Sequence, residues 1–95
     1  MLTHIVFFKL KDRSSESIEQ ARAVLAAMEG NVPMLRHLEV GVDVLKTERS
    51  YDIALITRFD SLADLDAYQK HPYHVEVANY LATVRESAVA VDYES

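Results

Sequence analysis

The spacing of hydrophobic positions switches repeatedly along this chain between the period of a strand and that of a helix, and each switch predicts an element. Leu2 to Leu10, rich in β-branched and aromatic residues, fits no helical period and predicts a first strand. Ser14 or Ser15 then caps a helix with Glu16 in its first turn. Its stripe is Ile18, Ala21, Leu25 and Met28, and it ends near Gly30. After a turn at Pro33, Leu38, Val40, Val42 and Val44 alternate with Glu39, Gly41 and Asp43, the pattern of a strand with one wet face. The charged stretch KTERS predicts a hairpin loop, and YDIALITRF, Tyr51 to Phe59, a central strand.

Asp60 or Ser61 caps a short helix with Asp64 in its first turn and Leu62, Leu65 and Tyr68 on its inner side. Pro72 disfavours a helical His71 and suits the first turn of a new helix, so the chain breaks there and restarts. Val75, Ala78 and Leu81 or Ala82 form the next stripe. Ala88 to Tyr93, where Val89, Val91 and Tyr93 alternate with Ala88, Ala90 and Asp92, closes the sheet as a fourth strand. The order strand, helix, strand, strand, helix, strand predicts an α+β fold of split βαβ type, an antiparallel sheet with helices on one face. The first and third strands are apolar on both sides, with Ile5 and Phe7 opposing Leu2, Val6 and Phe8, and Ala54 and Ile56 opposing Ile53 and Leu55. A helix-free face of that kind calls for a cover, and a second copy, sheet against sheet, is the simplest one.

Composition narrows the function. Ninety-five residues make one domain spanning 1–95. A formal charge of −5, with basic residues interspersed among acids, argues against nucleic acid as a partner. The absence of cysteine removes disulfides, thiolate chemistry and Cys-ligated metal. The apolar start is too short and too interrupted for a signal peptide or membrane span, so the expectation is a cytoplasmic protein with no membrane partner. No glycine-rich phosphate loop or nucleophile elbow occurs, and no cofactor is expected.

The candidate chemistry lies in the histidines. His4 shares a strand face with Val6 and Phe8 and points inward, where a buried imidazole needs a partner. His74 falls in the first turn of the restarted helix, whose dipole keeps the ring neutral and able to accept a proton. Tyr68, across the proline break, can present its hydroxyl to the same space and steady a carbonyl or enolate oxygen. His4, Tyr68 and His74 are therefore catalytic candidates, and His71 and Tyr73 of the same segment ligand-binding candidates. Each also has a plain structural reading: strand His and helix Tyr as packing residues, His71 as a cap on a loose helix end, His37 as a solvated residue at a strand entrance. His4, His71 and His74 also raise a metal site, but Pro72 spoils the common helical face and no metal is assigned.

The segments HIVFFKLKD and SYDIALITRFDSLADLDAYQKHPYHVEVA, with the closing strand, resemble the stress-responsive A/B barrel domain family of the dimeric α+β barrel superfamily. The resemblance covers nearly the whole chain, and AYQKHPYH is its most specific piece. It implies a ferredoxin-like βαββαβ protomer that pairs through its sheet face into a barrel, with a cavity between sheet and helices. Some members look like plant polyketide cyclases, in which a helix His acts with a Tyr and a strand-one His lines the site. By motif those roles fall on His74, Tyr68 and His4. The expected ligand is a small apolar or carbonyl-containing compound handled by acid/base chemistry. The alternatives are a noncatalytic stress-related dimer that binds an apolar ligand or another protein and, less favoured, a haem-binding monooxygenase-like protein.

Overall fold

Two serines set where the helical layer begins. Ser14 Oγ accepts from the backbone N–H of Ser17 (3.2 Å) and Ser61 Oγ from that of Asp64 (3.2 Å), with Glu16 and Asp64 in the respective first turns. The structure is a computed structural model that describes residues 1–95. Its elements are β1 (Leu2–Leu10), α1 (Ser15–Ala26), β2 (His37–Val42), β3 (Ile53–Phe59), α2 (Leu62–Lys70), α3 (Pro72–Val84) and β4 (Arg85–Glu94). The strands form one antiparallel sheet in the order β2-β3-β1-β4. This is the expected α+β, ferredoxin-like arrangement, with the second helix divided in two. No helix is long and apolar enough to cross a membrane.

The core lies between the helices and one sheet face. Leu2, Phe8 and Leu10 of β1 and Ile53, Leu55 and Phe59 of β3 are buried there against Ile18, Ala21 and Leu25 of α1. Helix α1 ends at Ala26, and the chain tightens through a turn that buries Met28 and closes at Gly30 with φ +83°, a conformation glycine adopts without strain.

Several expected positions move. Leu62 is exposed although Leu65 and Tyr68 are buried, because steps of three residues drift around a 3.6-residue helix and place Leu62 about 120° from Tyr68. In α3 the buried stripe is Val77 and Leu81, and Val75 turns outward. Strand β2 stops at Val42 and leaves Val44 86% exposed in the loop, so the alternation there outruns the pairing. Strand β4 is longer than expected and starts directly at the end of α3.

The register shows which residues face away from the helices. Phe7 stands opposite Ala54 and Val89, Ile5 opposite Ile56 and Val91, and Thr3 opposite Tyr93. Phe7, Val91 and Tyr93 are 43%, 61% and 44% exposed, an apolar surface on the helix-free side. Thr3 Oγ1, the one buried side-chain polar atom without a hydrogen-bond partner, belongs to the same side by strand alternation.

One buried acid ties the sheet to the start of α1. Asp52 accepts from the backbone N–H of Leu10 (2.8 Å) and from Arg13 Nε (2.9 Å), and its own N–H donates to the Phe8 carbonyl (2.8 Å). Arg13 Nη2 also donates to the Ser50 carbonyl (3.1 Å), closing the β2–β3 loop over the pair. Asp52→Ala orphans the Leu10 amide and the Arg13 guanidinium, and urea unfolding is expected to show a loss of about 2–3 kcal/mol. A loss below about 0.5 kcal/mol, the range of ordinary surface changes, contradicts this role.

Candidate functional site

The break between α2 and α3 builds the site. His71 is extended (ψ 135°) ahead of Pro72, so α2 stops at Lys70 and α3 starts with the proline in its first turn. His71 serves both ends: its N–H donates to the Tyr68 carbonyl (3.1 Å), and its Nδ1 accepts from the Tyr73 N–H (3.1 Å). Tyr68, in the last turn of α2, and His74, in the first turn of α3, thereby meet with ring centroids 4.3 Å apart. Tyr68 also packs on Phe59 at 4.9 Å, which fixes the ring from the sheet side.

His74 Nδ1–H donates to the Gln69 carbonyl (3.3 Å), which leaves Nε2 as the ring's acceptor. Partial burial lowers the His74 pKa from its ordinary value; the Gln69 carbonyl opposes this, while charge on His4 and His71 reinforces it. The ring is therefore neutral around neutral pH. Tyr68 is fully buried and burial raises its pKa well above the usual phenol value, so it remains a hydroxyl donor. Its O–H points to Met28 Sδ at 3.7 Å, a weak acceptor.

His4 occupies the inner face of β1 directly opposite Asp92 of β4, and its Nδ1–H donates to the Asp92 carboxylate. The carboxylate fixes the tautomer and ring orientation, leaving Nε2 without a protein partner. The His4 and Tyr68 rings are 6.3 Å apart and edge to face. His4, Tyr68 and His74 thus line one cavity of ≈ 390 Å³ between sheet and helices, whose walls include Val6, Phe8, Met28, Leu55, Leu81 and Ala88. The three residues expected to act together are brought together.

His71 and Tyr73 do not line this cavity. His71 is spent on the helix junction, and Tyr73 faces an outer groove with Ala23 and Val24 of α1 and Ala27 just beyond it. No group of three or more His, Asp or Glu is placed to hold a metal ion. Asp92, Gln69 and Arg85 belong to the site and were not anticipated. For Asp92 the signal was present, since it is an acid in an inner-face series with Ala88 and Ala90 and stands opposite His4. Those two alanines also explain the cavity: β4 turns its small residues inward and its valines outward.

A family model described as the Stress Responsive A/B Barrel Domain matches residues 2–95. The stress-response A/B barrel domain-containing protein DABB1 of Arabidopsis thaliana is 32% identical over 97 residues, covering 98% of this chain and 46% of that protein. The chain therefore spans less than half the length of this curated relative. A dimeric protein of unknown function and ferredoxin-like fold from Bacteroides fragilis is 32% identical, with TM-score 0.86 and coverage of 99% of this chain and 95% of the other. A hydroxynitrile lyase from Passiflora edulis shares the fold, with TM-score 0.83, 24% identity and coverage of 97% and 90%.

The lowered pKa of His74 makes a stability prediction. Between that lowered value and the ordinary 6.5, the native protein binds fewer protons than the unfolded chain, so the contribution of neutral His74 is full above pH 6.5 and is lost as pH falls through the lowered value. Urea unfolding across this window is expected to show wild type losing stability relative to His74→Gln as pH decreases. Parallel pH profiles for the two proteins would contradict it.

Proposed function

The chain belongs to the stress-responsive A/B barrel domain family, and from that premise we propose that its cavity takes a small apolar carbonyl compound and transfers a proton next to the carbonyl. The observation that carries this reading is the placement of His74: its Nδ1–H is committed to a backbone carbonyl, so a neutral Nε2 is free to accept a proton beside an apolar chamber. Tyr68, 4.3 Å away and held as a hydroxyl, donates to the oxygen on which negative charge develops, once it turns from the Met28 sulfur. His4, oriented by Asp92, offers a second imidazole nitrogen at the same chamber. The proton thus leaves the carbon for His74 Nε2, and the electron pair moves to the oxygen that Tyr68 stabilises.

The expected activity is deuterium incorporation at the carbons flanking the carbonyl of 2-nonanone in D₂O, followed by mass spectrometry. General-base catalysis of this type is worth at least about a hundredfold, and His74→Gln is expected to lose that factor while keeping the ketone-dependent rise in melting temperature. Exchange at the buffer rate in wild type overturns the reaction. With the melting shift retained, that result favours a binding protein, a reading supported by the Tyr68 hydroxyl resting on Met28 Sδ.

We further propose that two copies pair through the helix-free sheet face. Exposed Phe7, Val89 and Val91 form its apolar centre, and the B. fragilis relative of the same fold is dimeric. Phe7→Glu combined with Val91→Glu places charge at that centre and is expected to halve the mass measured by light scattering after gel filtration, with helix content unchanged by circular dichroism. An unchanged dimer mass in the double variant would contradict this interface.

A further inference from the structure

A β-bulge at the start of β4 decides which charge faces the cavity. From Leu2 to Lys9 the β1–β4 ladder keeps one register, with Phe8 opposite Ala88 and Lys9 opposite Ser87. One more step in that register would set Glu86 opposite Leu10. The register instead shifts between Lys9 and Leu10, and Arg85 stands opposite Leu10. Leu10 is buried on the helix-covered side, so its cross-strand partner shares that side, and Arg85 rather than Glu86 lines the cavity. Bulges commonly re-aim a side chain at the rim of a site. This one replaces an acid with a guanidinium.

The fold has no other use for that guanidinium. Arg85 belongs to none of the ion pairs in the protein. The carbonyls at the end of α3, which a cation there would satisfy, are instead served by Lys11: its N–H donates to the Val84 carbonyl (2.9 Å) and its Nζ to that of Thr83 (3.5 Å). Among the residues lining the cavity Arg85 is the only Lys, Arg, Asp or Glu, and the register sets it opposite Leu10, at the other end of the ladder from the His4–Asp92 pair. Along α3 Arg85 and His74 are separated by roughly 16 Å at the rise of an α-helix. The wall between them is apolar, with Val77 and Leu81 from the helix and Phe8 and Ala88 from the sheet.

We propose that Arg85 binds the carboxylate of an elongated amphipathic ligand whose apolar body lies along Leu81 and Phe8 and whose carbonyl-bearing end reaches Tyr68 and His74. The planar guanidinium fork matches a carboxylate through two parallel hydrogen bonds, and the apolar wall excludes a second charge along the body. The substrate class narrows to an oxo-carboxylic acid of medium chain length, of which a neutral ketone such as 2-nonanone carries the reacting end without the carboxylate. This assignment rests on the cavity being the ligand site and adds the end group that the site selects.

Isothermal titration with decanoate and with uncharged decanamide, on wild type, Arg85→Gln and Glu86→Gln, tests it. Decanoate is expected to bind wild type and Glu86→Gln about fivefold more tightly than decanamide, the range of a partly exposed charge pair. Arg85→Gln is expected to erase that preference by weakening decanoate alone, leaving decanamide as in wild type. Equal affinity of wild type for the two probes overturns the role of Arg85 while the cavity reading stands. If neither probe binds, the cavity reading falls and this assignment with it. A preference that persists in Arg85→Gln also overturns it.

Discussion

Everything proposed for the cavity depends on the backbone break at His71–Pro72. In an uninterrupted helix Tyr68 and His74, six positions apart, would project about 120° from each other and could not both face the sheet. The extended His71 and the proline behind it restart the helix in a new phase, and the two rings meet at 4.3 Å. The imidazole of His71 holds the junction by accepting from the Tyr73 N–H, and the Gln69 carbonyl left near the end of α2 becomes the acceptor that fixes the His74 tautomer. Ending one helix thus supplies both the position and the tautomer of the proposed base.

The sheet contributes through an asymmetry of residue size. Strand β4 places Ala88, Ala90 and Asp92 toward the helices and Val89, Val91 and Tyr93 away from them. The small inward residues leave volume unfilled, Asp92 orients His4 within it, and the large outward residues extend an apolar surface shared with Ile5, Phe7 and Ile56. Cavity and open face are two consequences of one alternating strand, because a period of two separates the demands of the two sides. A one-residue slip of β4 would exchange them, filling the cavity with valine and stripping the open face of its apolar residues.

Much of this was legible in the sequence because period and punctuation are local. The serine caps, the proline break, the β-rich run of β1, the apolar run of β3 and the alternation in β2 and β4 each rest on a few adjacent residues, and together they located the strands and helices. The inward His4 and the meeting of Tyr68 with His74 followed from the same signals. What escaped depended on long-range pairing. Leu62 and Val75 are apolar residues at helical spacing, and only the packed phase of each helix shows that they face outward. Asp92 becomes the partner of His4 through the β1–β4 register, 88 residues apart in the chain, and Arg85 enters the cavity through a bulge that no local pattern announces. Asp52 falls inside the stretch expected as the central strand, yet it precedes β3 and is the buried anchor of Arg13.

The most direct measurement of whether this cavity is the ligand site is the set of intermolecular nuclear Overhauser contacts made by 2-nonanone in solution. Contacts are expected from the ketone to the ring protons of His74 and to the methyl groups of Ala88 and Leu81, which only the cavity brings together. Contacts confined to Phe7, Val89 and Val91 on the helix-free face, or to Tyr73 and Val24 in the outer groove, would contradict it.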